Sequence, residues 1–152
     1  MCSSDLAGLQ DRVIQVYEGL VYMDFAESAM HEVDGLQCGR YERLDPCALP
    51  PLYVAYNAGV SEPTEVFHNN LRARFEAGEP QVLEAMKKFA GLAQSAREAL
   101  ARGDHRRLAE LIDANFDTRR SICRLPGGQV EMIERARRAG ASAKFEIGRA
   151  HV

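Results

Sequence analysis

The order of patterns along the chain predicts an α+β fold in which a mainly antiparallel sheet is covered on one face by helices. Three observations carry that expectation. Short apolar runs occupy the first third, helix-period stripes fill the middle and later parts, and a final strand begins at Ser142–Phe145. At 152 residues the chain has the length of one domain with a proper core.

Asp11 to Glu18 places Val13, Ile14 and Tyr17 on one face of a helix, and Leu20 to Phe25 follows as a strand buried on much of both faces. Glu27 to Gly39 fits either a helical turn built on Met30, Val33 and Leu36 or a loop punctuated by Gly35 and Gly39. Arg40 to Leu44 reads as a short edge strand halted by Asp45-Pro46. Leu49-Pro50-Pro51 then leads into a second apolar strand, Leu52 to Tyr56, turned by Asn57 and Gly59. From Ser61 the period becomes helical, with Pro63 near the start, Val66, Leu71 and Phe75 in the buried stripe and Gly78 at the close. Pro80 opens a helix carrying Val82, Met86, Phe89, Ala93, Ala96 and Leu100 on one core face up to Gly103. Asp104 can cap the next helix, where Leu108, Leu111, Ile112, Phe116 and Ile122 repeat the stripe. Pro126-Gly127-Gly128 breaks the chain before a last helix from Gln129 to Ala139. Gly140 suits the left-handed residue beyond a helix end, and Ser142 to Phe145 begins a strand.

Acidic and basic residues nearly balance, 22 against 19 for a net charge of −3, which gives no electrostatic case for nucleic acid or an anionic membrane. No apolar run approaches the length of a bilayer span, and no stretch resembles a signal peptide. Cys38, Cys47 and Cys123 show neither paired close spacing nor nearby histidines suited to zinc, so reduced thiols in a cytoplasm are expected. His31, His68, His105 and His151 read as surface residues. Tyr17, Tyr22, Tyr53 and Tyr56 are expected to pack against sheet and helix faces.

The two ends carry an expectation of their own. If Glu146–Val152 is encoded GAG ATC GGA AGA GCA CAC GTC, the reverse complement contains GTG TGC TCT TCC GAT CTC, which read from that start is Met1 to Leu6. One oligonucleotide read in both directions accounts for both ends. Residues 1–6 and 146–152 are therefore expected to be a sequencing-adapter artefact flanking an incomplete insert, residues 7–145. Taking Asp5, Glu146 and Arg149 from the 22 acids and 19 bases leaves 20 against 18, a net charge of −2.

Four stretches carry a family likeness. Gly8 to Phe25, GLQDRVIQVYEGLVYMDF, brings Asp11 into a helix that turns through Gly19 into a strand. Leu49 to Tyr56 is a proline-led strand, Asn115 to Arg120 reads Asn-Phe-Asp-Thr-Arg-Arg, and Ala136 to Phe145 ends in Lys-Phe. Together they resemble the GHMP family of small-molecule kinases, in particular its glucuronokinase-like branch, over nearly the whole insert. The resemblance implies the carboxy-terminal portion of an ATP- and Mg²⁺-dependent kinase, related to the ferredoxin-like fold. Such an enzyme transfers the γ-phosphoryl group to a hydroxyl of a sugar or sugar acid, here glucuronate at its anomeric hydroxyl.

In that family the acid at the position of Asp11 sits beside the accepting hydroxyl, as base or as the group that holds it and balances charge. Arg119, with Asn115 one turn before it, is the candidate for binding the substrate, since a guanidinium pairs bidentately with a uronic carboxylate. Read from the residues alone, Asp11 is equally a first-turn acid complementing the helix dipole. Arg119 and Arg120 point about 100° apart, exposed helix arginines are common, and Asn115 suits any polar helix position. The family's Gly-Ser-Ser-rich phosphate loop and its Thr-Gly-Ser-Gly-Gly motif are not in this sequence. Phosphoryl transfer needs such a backbone cradle, so the chain by itself is expected to be inactive. A heptose-phosphorylating branch shares the Gln-Asp helix, and a non-enzymatic α+β ligand-binding or dimerisation module would show the same hydrophobic patterning.

Overall fold

The computed structural model describes residues 6–55 and 71–145, with side chains from residue 10 onward. The expectations at Tyr56, Asn57, Gly59, Ser61, Pro63, Val66 and His68, and at residues 1–5 and 146–152, lie outside the described residues. The chain divides into two compact units, Met1–Pro51 and Leu52–Val152.

The first unit runs α1 (Leu6–Tyr17), β1 (Leu20–Asp24), β2 (His31–Val33), β3 (Leu36–Cys38) and β4 (Arg40–Leu44). Between α1 and β1 the chain reverses through two left-handed residues, Glu18 at φ 54° and Gly19 at φ 69°, a conformation glycine adopts without strain. β1 pairs antiparallel with β4, from Leu20 opposite Leu44 to Asp24 opposite Arg40. Every residue of β1 is half-buried, not buried on both faces, because a two-stranded ladder has too little surface to cover two faces. Packing centres on Val13 and an aromatic group in which Tyr41 meets Tyr17 and Phe25 edge-on, at 5.6 and 5.9 Å between ring centroids.

Glu27–Gly39 forms neither a helical turn on Met30, Val33 and Leu36 nor an open loop. A 3-10 turn at Glu27–Ala29 precedes a hairpin of β2 and β3, closed by Asp34 and Gly35 at φ 51° and 77°. Asp-Gly with two positive φ values is the turn that matches strand twist. Gly39 is then required on steric grounds: a Cβ there would lie 2.5 Å from the Asp24 carbonyl oxygen and 2.8 Å from Phe25 Cδ1.

In the second unit residues 71–76 are helical, followed by α2 (Pro80–Ala101), α3 (His105–Ile122) and α4 (Gly127–Arg138). α2 and α3 pack against one another through Val82, Ala85, Ala99 and Leu100 on one helix and Leu108, Leu111, Phe116 and Ile122 on the other. Gly103 at φ 67° ends α2, with Asp104 N–H donating to the Ala99 carbonyl at 2.9 Å. Asp104 Oδ1 in turn accepts the Arg107 N–H at 2.9 Å and caps α3. The far end of α3 is closed from outside: Arg74 Nη1 donates to the Ile122 carbonyl and Gln81 Nε2 to that of Ser121, at 2.5 and 3.0 Å. Those carbonyls have no partner within the helix.

Several expected features differ. Phe75 is 47% exposed rather than part of a buried stripe. Ala93 is exposed and Met86, Phe89 and Ala96 half-buried, because small Ala85 and Ala99 take the innermost positions of α2. Leu52–Ala55 and Ser142–Phe145 are not strands, and Tyr53 is 92% exposed instead of packed. An apolar run becomes a strand only with a ladder partner, and neither segment has one among the described residues. The mixture of helices and antiparallel strands stands, but the described residues are mainly helical and each sheet has two strands.

Candidate functional site

The Asn115–Arg120 segment lies on α3, and the 3.6-residue period sends its side chains to separate environments. Phe116 is 1% exposed and Thr118 is buried with its Oγ1 donating to the Ala114 carbonyl at 2.7 Å. Asp117 and Arg120 are committed to α4, accepting from Arg137 Nη1 at 2.8 Å and pairing with Glu134 at 3.1 Å respectively. Asn115 and Arg119 are both half-buried and, four residues apart, share a face. The Arg119 guanidinium lies 5.9 Å from the Phe145 ring centroid and has no carboxylate partner among the described residues. A half-buried guanidinium held against a ring with its donors uncommitted is suited to a planar anion.

Two neighbouring residues, Asp113 and Arg137, were given no role in the sequence reading. Asp113 Oδ1 accepts from Arg137 Nε at 3.0 Å and from the Ala143 N–H at 3.1 Å, while Arg137 Nη2 donates to the Asp113 carbonyl at 2.9 Å. Arg137 also lies 5.0 Å above the Phe116 ring, and Phe116 meets Phe145 edge-on at 5.3 Å. Burial works against the Arg137 charge, yet its bonds to Asp117 and Asp113 hold the guanidinium above the usual arginine range. The signal was present in Asp113 and Asp117, four apart on one helix face. Which cation would meet them was not readable. Beside Arg119, burial pushes the Cys123 thiol up, partly offset by the charges of Arg119 and Arg74.

Asp11 is exposed on α1, in the first unit, whereas Asn115 and Arg119 belong to the second. The helix starts at Leu6 with no acid in its first turn, so Asp11 is an interior position and the dipole reading does not apply to it. An open groove of about 480 Å³ on the second unit is lined by Gln81, Glu84, Ala85, Lys87, Lys88, Thr118 and Ser121, and none of the candidate residues takes part in it. Among the described residues no group of three or more His, Cys, Asp or Glu side chains could hold a metal ion. No described helix is long and apolar enough to cross a membrane.

No family model matches the chain, and no solved structure matches it. Two curated relatives do. The chain is 43% identical over 144 residues to Glucuronokinase 1 of Arabidopsis thaliana and 42% identical over 145 residues to Probable glucuronokinase 2 of the same plant. In both cases the match covers 92% of this chain and 38% of the relative. The chain is thus homologous to a segment of glucuronokinases, in keeping with its likeness to GHMP kinases, and spans well under half their length.

Proposed function

We propose, from this homology to a segment of the glucuronokinases, that the chain is part of an ATP- and Mg²⁺-dependent sugar-acid kinase acting on the anomeric hydroxyl of glucuronate. The identity with Glucuronokinase 1 along 92% of this chain carries the reading. Within it Asp11 stands beside the accepting hydroxyl and Arg119, with Asn115, holds the uronic carboxylate. That half-buried Arg119 has no carboxylate partner among the described residues supports that role. The layered sheet expected of a GHMP carboxy-terminal half would be completed in the full-length enzyme, which also supplies the phosphate cradle. Residues 7–145 are the kinase segment, residues 1–6 and 146–152 are adapter-derived, and the enzyme works in the cytoplasm.

The test is a coupled ATP-consumption assay with glucuronate on the uninterrupted gene product. Phosphorylation of glucuronate by that protein and none by the 152-residue chain is expected. Arg119→Lys should raise KM for glucuronate on the order of tenfold with kcat little changed, since lysine keeps the charge but not the planar fork. Equal turnover of glucuronate and an uncharged hexose would overturn the carboxylate assignment.

A further inference from the structure

The segment after α4 is fastened to α3 at two points only two residues apart. The Ala143 N–H donates to Asp113 Oδ1 at 3.1 Å, and the Phe145 ring rests edge-on against Phe116 at 5.3 Å. Asp113 does not act alone. Its carboxylate and carbonyl both take bonds from Arg137, whose third donor reaches Asp117, so one guanidinium with 27% side-chain exposure spans a turn of α3. A fork bonded at three acceptors fixes an orientation as well as a distance. Over the same ring stands Arg119, 5.9 Å from the Phe145 centroid. Nothing else among the described residues binds its guanidinium.

We propose that Asp113 and Arg137 are positioning residues that hold Phe145 against α3, and that Phe145 in turn sets the orientation in which Arg119 meets a carboxylate ligand. The carboxylate half rests on the function proposed above; the positioning half does not. A long side chain otherwise samples many rotamers. A ring held edge-on against Phe116, in a segment bonded at the Ala143 N–H, narrows the rotamers open to Arg119 beside it.

The experiment follows the Arg119 Nε–Hε signal of the ¹⁵N-labelled chain by NMR, assigned by its loss in Arg119→Lys. In the unsubstituted protein that signal should be displaced from that of free arginine by the Phe145 ring current and show restricted Nε motion in ¹⁵N relaxation. Asp113→Ala and Arg137→Gln should accelerate exchange at the Ala143 N–H at least tenfold and return the Arg119 Nε–Hε signal toward that of free arginine, while amides of α2 keep their protection. Phe145→Leu should release Arg119 but not Ala143, and Phe145→Tyr should restore it. Should Asp113→Ala not fold, the two Phe145 variants decide. An Arg119 signal unmoved by Phe145→Leu overturns the proposal, as does loss of Ala143 protection in Asp113→Ala without any change at Arg119. Glucuronate is then titrated in: a saturable Arg119 shift whose midpoint rises about tenfold in Phe145→Leu is expected. A shift with the same midpoint in both overturns the proposal. No shift, with Arg119 still released by Phe145→Leu, overturns the carboxylate reading instead.

Discussion

Asp11 is presented to solvent from the middle of α1, so replacing it disturbs no packing. Removing only its ability to accept a proton is therefore a clean probe. In the full-length kinase Asp11→Asn should lower kcat about 10²-fold or more, the usual contribution of a positioned base, with KM for glucuronate nearly unchanged. Steady-state rates across glucuronate concentrations decide it; normal turnover would exclude the base role. Gly39 is the opposite kind of position, fixed by space. With the Asp24 carbonyl 2.5 Å from where a Cβ would stand, Gly39→Ala must push backbone aside. A loss of about 1–3 kcal/mol is expected, as for other overpacked sites, read as a lower urea midpoint at unchanged m.

At the scale of elements, α3 is defined at both ends, by Asp104 at its start and by Arg74 and Gln81 on its last carbonyls. Asp104 was legible because an N-cap is local and its residue type is diagnostic. The closing contacts were not, since they come from residues 40 and 48 positions away. Arg74 is held in place by Glu79, with Nε 2.7 Å from Oε2, and that hydrogen bond is the main reason the Glu79 carboxyl lies below its ordinary range. A carboxyl lowered on folding adds stability above its unfolded pKa, about 4.3, and loses it as pH falls through the folded value. Thermal melts from pH 7 to pH 3 should therefore show the unsubstituted chain losing more stability below about pH 4.3 than Glu79→Gln does. Parallel curves would remove the Arg74–Glu79 pair from the account. The β2–β3 hairpin was legible in principle, since Asp34-Gly35 between Val33 and Leu36 is a strong two-residue turn signal. The competing 3.6-residue spacing of Met30, Val33 and Leu36 hid it. That spacing is compatible with both structures over so short a stretch.

On the scale of the whole molecule, buried apolar side chains concentrate in the second unit. Among the described residues Val13 alone represents the first unit in that set, whereas α2 and α3 contribute eight. Two-stranded sheets without a deep core are marginal, so opening should be local and graded. Native-state hydrogen exchange is expected to find the slowest amides in α2 and α3 and the fastest among the hydrogen-bonded ones in β2 and β3. Uniform protection across both units would contradict that gradient.

By itself the sequence determined α2, α3, the stop of α4 and the kinship, from periodic apolar residues and local punctuation at Pro80, Gly103, Asp104 and Gly140, whereas α4 begins at Gly127, inside the stretch read as a break. Asn115 and Arg119 could be singled out as candidates because the motif that holds them is contiguous. Only the tertiary structure decided that Leu52–Ala55 and Ser142–Phe145 are not strands, that Asp113 and Arg137 form a pair, and that Arg119 lies over Phe145 with no carboxylate partner among the described residues. The physical reason is reach. Helix periodicity and capping act within a few residues, while strand pairing and ion-pair choice depend on which distant groups the fold brings within bonding distance.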